Sequence, residues 1–90
     1  MLEIFTTEEF DKCFVRLPAP IQKKAFKQEK LFRENPFYPS LNTEKLEPKG
    51  KQVWSFRIDD NYRILFRFIK QNQALFLVCG HHNWIYKYRF

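Results

Sequence analysis

The sequence predicts an α+β fold of order βααβββ, in which an N-terminal helical hairpin packs on one face of a mostly antiparallel sheet. Three features lead to this. Apolar residues recur at helical spacing in the first third of the chain and alternate with polar ones beyond Gly50. Pro18 and Pro20 separate two helical stretches. Turn-forming clusters, Asp59-Asp60-Asn61 and Lys70-Gln71-Asn72-Gln73, punctuate the alternating half. With 90 residues, 44% hydrophobic and 29% charged, the chain is expected to form one globular domain over residues 1–90. Its 2 glycines exclude a glycine-rich phosphate loop.

Residues 2–5 form the first expected strand. Thr6 with Glu9 fits a capping box opening the first helix, whose apolar stripe is Phe10, Cys13, Phe14 and Leu17. The second helix should run over residues 19–34, with Ile21, Ala25, Phe26, Leu31 and Phe32 inward and Lys23, Lys24, Lys27 and Lys30 outward. Asn35-Pro36 ends it, and Pro39 rules out a central strand in the loop that follows. Gly50 marks a turn. Over residues 52–58, Trp54, Phe56 and Ile58 share one face, and Val53, Ser55 and Arg57 the other. Over residues 62–69, Tyr62, Ile64, Phe66 and Phe68 oppose Arg63, Leu65, Arg67 and Ile69. Residues 74–79 read as a central strand ended by Gly80, and residues 81–90 show no helix. The face away from the helices keeps polar residues and is expected to be open to solvent or ligand.

Charge is unevenly placed. The net charge is +6, with +1 in residues 1–45 and +5 in residues 46–90, and no Asp or Glu follows Asp60. Such a balance suits an anionic partner, whether nucleic acid, an acidic protein or a membrane surface, although an ordinary solvated surface would carry it too. No apolar run is long enough to span a membrane, and the N-terminal residues lack the basic and apolar regions of a signal peptide. Cys13 and Cys79 sit in apolar contexts and read as free thiols in a reducing compartment. The expected location is the cytoplasm.

Strand parity places Arg57, Arg63 and Arg67 together on the polar face of a hairpin. Guanidinium groups clustered without acidic partners suit an oxyanion, whose oxygens their paired N–H groups match. Asp59, Asp60 or Glu47 could instead fold back and neutralise them. Beyond the last strand lies Gly80-His81-His82-Asn83-Trp84-Ile85-Tyr86. Histidine exchanges protons near neutral pH, so His82 is a candidate general acid or base, and Tyr86 can donate a hydrogen bond or stack on a base. On an extended chain His81 and His82 point to opposite faces, which argues against a shared metal ion. No metal and no cofactor are expected.

These residues also carry a resemblance. Leu17-Pro18, Ile21-Gln22-Lys23-Lys24-Ala25, Asn35-Pro36-Phe37-Tyr38-Pro39-Ser40-Leu41, Lys45-Leu46, Trp54-Ser55-Phe56-Arg57-Ile58, Tyr62-Arg63-Ile64-Leu65-Phe66 and Gly80-His81-His82 with Tyr86 follow one another as in the RelE/ParE toxin superfamily. The resemblance spans nearly the whole chain and implies a compact βααβββ fold. It implies the toxin of a bacterial type II toxin–antitoxin pair, either a metal-independent endoribonuclease that cuts mRNA, in some cases on the ribosome, or a non-enzymatic ParE-like protein that binds DNA gyrase. An inert relative that binds RNA or antitoxin is a further reading.

The nuclease branch has a basic residue or histidine matching Arg57, an arginine matching Arg63, a His or Arg matching His82 and an aromatic matching Tyr86. His82, Arg63, Arg57 and Tyr86 are therefore the expected catalytic set, with Lys45, Lys49, Lys51, Arg67 and His81 as RNA contacts. The implied partners are RNA and a cognate acidic antitoxin. The chain departs from the pattern at Asn83, where many relatives have an acidic residue, and any helix after the sheet is absent or very short.

Overall fold

The computed structural model describes residues 1–88 and has the expected architecture, with one additional strand. The elements are β1 (Glu3–Thr6), α1 (Glu8–Val15), α2 (Ala19–Glu34), β2 (Glu44–Lys45), β3 (Trp54–Arg57), β4 (Tyr62–Lys70), β5 (Gln73–His81) and α3 (His82–Ile85). Short 3₁₀ turns occupy Pro39–Leu41 and Lys49–Lys51. The sheet order is β1-β5-β4-β3-β2. Its β1–β5 pair is parallel and the other three are antiparallel.

The helices form from the expected spacing, with local corrections. Thr7, not Thr6, caps α1: its hydroxyl accepts from the Phe10 N–H at 2.9 Å and donates to the Leu77 carbonyl at 2.7 Å. Thr6 is consumed as the last residue of β1, which moves the cap one residue along. In α2, Ile21, Ala25 and Phe32 are buried as expected, but Phe26 is 56% exposed. Position 26 lies about 100° around the helix from Ala25, off the buried stripe, and its ring packs edge-on against Phe14 instead.

Among the described residues, thirteen buried ones form the main core between helices and sheet, centred on Phe32, Phe56, Phe66 and Phe76. The far face of the sheet is not simply open. Val53, Leu65, Leu77, Val78 and Ile85 make a second apolar cluster there. Two causes combine. A register shift opposite Leu65/Phe66 leaves Leu77 as an extra residue on β5, so Leu77 and Val78 both reach this cluster. The chain after β5 then folds into α3, whose Ile85 is fully buried. No helix is predicted over residues 81–90, of which 89–90 lie outside the described residues, because one turn is too short for periodicity to register. Gly80 does not end β5, which continues to His81. A methyl group on Gly80 would overlap the Trp84 ring, so glycine is what allows α3 to lie against the strand. Among the described residues no helix is long and apolar enough to cross a membrane.

Candidate active site

Arg57 and Arg63 face each other directly across the β3–β4 ladder. Like charges so placed repel, and each guanidinium is held by neutral groups. Arg63 Nη1 donates to the Asp59 carbonyl at 2.7 Å and the Tyr62 carbonyl at 3.1 Å, and its Nε donates to the Tyr86 hydroxyl at 3.1 Å. The Asn42 amide, with its oxygen toward Arg57, accepts from Nη1 at 3.1 Å and Nε at 3.3 Å. Asn42 adopts a left-handed conformation, φ 46°, which asparagine tolerates. The backbone of Arg57 is fixed in turn by Gln28 on α2, whose Nε2 donates to its carbonyl at 2.9 Å.

The carboxylates that could have cancelled this charge do so only weakly. Asp60 reaches Arg57 at 4.0 Å and is 97% exposed, a geometry worth little in water. Asp59 is turned to the hairpin backbone, accepting from the Asn61 and Tyr62 N–H groups at 2.9 Å each, and pairs with Lys24 at 3.6 Å.

Arg57, Arg63 and Tyr86 line one cavity of about 260 Å³ together with Asn42, Ser55 and Glu44. Glu44 was missed in the sequence. It sits on β2, a strand of two residues, opposite Ser55, and so shares the face of Arg57 and Arg63. Two residues cannot show alternation, so no sequence signal assigned Glu44 a face. The same register puts Lys45 on the opposite face, where its ammonium lies 5.8 Å from the centre of the Trp54 ring, away from the arginine pair. Arg67 shares the arginine face but stands four residues along β4, about 13 Å away, with its Nε donating to the Lys51 carbonyl at 3.2 Å. Lys49 and Lys51 are exposed in the β2–β3 loop, and Lys51 lines a neighbouring cavity that also contains Tyr86.

The two histidines correct the expectation of opposite faces. Their rings stack, with centroids 4.6 Å apart and planes at 24°. The reason is that β5 gives way to α3 between them. His81 is the N-cap, its Nδ1 accepting from the Asn83 N–H at 3.1 Å, and His82 is the first helical residue. The His82 N–H donates to the Asn61 carbonyl at 2.8 Å, which ties α3 to the β3–β4 turn. His82 and Tyr86 are four residues apart, so they lie on one side of this turn. Tyr86 reaches the arginine cavity through Arg63, while His82 is not among the residues that line it. Among the described residues, no three His, Cys, Asp or Glu side chains cluster as ligands for a metal ion.

Neither thiol lines the arginine cavity. Cys79 is buried, and burial, with a smaller contribution from Cys13, pushes its thiol up to about 12, leaving almost no thiolate at neutral pH.

The ParE-like toxin domain family model matches residues 19–84, and the chain belongs to that family. Among solved structures, a YoeB/ParE toxin from Agrobacterium tumefaciens is similar, with a TM-score of 0.74 and 19% identity over 90% of this chain and 99% of that one. The RelB-RelE antitoxin-toxin complex from Methanococcus jannaschii gives 0.72 and 21% identity over 93% and 96%. YafQ from E. coli gives 0.71 and 15% identity over 92% and 96%. These likenesses establish the fold. Comparison with curated protein sequences gives no match.

Proposed function

We propose that this chain is the toxin of a toxin–antitoxin pair and an endoribonuclease that works in the cytoplasm on mRNA. The observation that carries the reading is the directly opposed Arg57–Arg63 pair, held by neutral groups in a cavity that also presents Glu44 and Tyr86. Such a pair suits the phosphate of a substrate rather than a structural role, since two facing guanidiniums destabilise the free protein.

The chemistry follows from the groups present. The RNA 2′-hydroxyl attacks the adjacent phosphorus while Glu44 takes its proton. The P–O5′ bond breaks, and His82 gives a proton to the departing 5′ oxygen. The products are a 2′,3′-cyclic phosphate and a 5′-hydroxyl. Arg57 and Arg63 stabilise the charge that builds on the non-bridging oxygens, and Tyr86 orients both Arg63 and the substrate. His81, Arg67, Lys49 and Lys51, which lie outside the cavity, serve as further RNA contacts along the chain's basic half. Lys45, on the other face, would serve only RNA that wraps the sheet edge.

An acidic antitoxin fits the same basic half of the chain. The RelB-RelE and YoeB-YefM structures are complexes of toxin with antitoxin, which supports a partner of this kind here. Mapping of RNA 5′ ends after brief expression in bacteria tests the reading. New ends are expected with the wild type, suppressed by the antitoxin and absent with Arg63→Ala. Growth arrest without new ends would instead favour a toxin that binds DNA gyrase.

A further inference from the structure

Tyr86 forms a wall of the arginine cavity and also of a larger one, of about 650 Å³, between the β2–β3 loop and the segment after α3. That volume is within the range of about 300–1,000 Å³ usual for small-molecule sites. The apolar walls come from Leu46, Pro48 and Val53, and two aromatic rings line it, Tyr88 and the 43% exposed Tyr86. Three charged residues line it, Glu47, Lys51 and Lys87. All three are exposed, and no hydrogen bond or ion pair engages the Glu47 carboxylate among the described residues.

We propose that this second cavity is a nucleobase site selective for guanine, in the nucleotide next to the phosphate held by Arg57 and Arg63. The proposal rests on reading the arginine cavity as the phosphate site. Single-stranded RNA is recognised by stacking bases on aromatic rings and reading their Watson–Crick edges. The edge of guanine presents an acceptor, O6, beside two donors, N1–H and the N2 amino group. A carboxylate accepts from both donors, and an ammonium donates to O6. Adenine and cytosine present the reverse order, a donor beside an acceptor. Uracil offers one donor between two acceptors. Glu47, with Lys51 and Lys87 to supply the ammonium and Tyr86 as the stacking surface, therefore fits guanine, the one base whose edge offers two adjacent donors to a carboxylate.

NMR titration of the full chain with guanosine 3′-monophosphate and adenosine 3′-monophosphate tests this, because weak affinities are readable and no cleavage is needed. A fitted carboxylate pair gives a preference for guanosine of roughly 10-fold or more, and Glu47→Ala should erase it. Equal affinities, a preference that survives in Glu47→Ala, or binding of neither nucleotide would overturn the proposal. RNA cleavage by the same wild-type sample separates the two readings. A Glu47-dependent guanine preference without cleavage sinks only the nuclease assignment. Cleavage without the preference sinks only this site.

Discussion

His82→Ala should lower RNA cleavage by about 10²–10⁴-fold, the usual contribution of a general acid or base, with the fold unchanged. The side chain is exposed and stacks on His81, while the hydrogen bond to Asn61 is made by the backbone N–H. Alanine keeps that hydrogen bond and favours helix. His81 is a less simple comparison than an extended chain would make it. Its ring stacks on His82 and its Nδ1 caps α3, so His81→Ala removes a cap worth roughly 1 kcal/mol and loosens the turn that carries His82. His81→Asn keeps a capping side chain and should retain most of the cleavage. Rates for the three variants, with thermal melts to confirm folding, decide the matter. Full activity in folded His82→Ala, or a smaller loss there than in His81→Asn, would remove His82 from the mechanism.

Phe32→Ala should destabilise the fold by about 3–5 kcal/mol. Phe32 is fully buried, and its ring stacks on Phe56 at 4.8 Å and meets Phe66 and Phe76 edge-on at 4.9 and 5.4 Å. It is the one aromatic ring by which α2 joins three strands. Truncation leaves a cavity that rigid rings on β3, β4 and β5 cannot fill. Small domains have about 5–15 kcal/mol in hand, so the variant should melt far below the wild type or fail to fold. Chemical denaturation measures the difference. A loss below about 1 kcal/mol, the scale of a conservative core change, would mean the helix is held chiefly by something else. Leu31→Ala, at a half-buried position of the same helix, should cost less.

The two substitutions probe parts of the molecule that differ in how far the sequence revealed them. Helices, hairpin and main core follow from periodicity, because each of those elements is long enough to repeat its pattern. Arg57 and Arg63 were legible together for the same reason: the tight Asp59-Asp60-Asn61 turn fixes the register between two alternating strands. What stayed hidden depends on short elements and irregular register. Glu44 lies on a strand of two residues and Lys45 went to the other face with it. The bulge at Leu77 gave the far face a core that strict alternation does not predict. His81 and His82 came together because a single helical turn begins between them. The partner of Tyr86, the Arg63 guanidinium, is 23 residues away in sequence and visible only in three dimensions.

The measurement that most directly tests the arginine cavity as an RNA-cleaving site uses the purified chain and a defined RNA oligonucleotide, with the chemical ends of the products identified. The mechanism requires a 2′,3′-cyclic phosphate on one fragment and a 5′-hydroxyl on the other, formed by the wild type and lost in Arg63→Ala and Glu44→Gln. Fragments with 5′-phosphate ends, or cyclic-phosphate products formed equally well by folded Arg63→Ala, would contradict it.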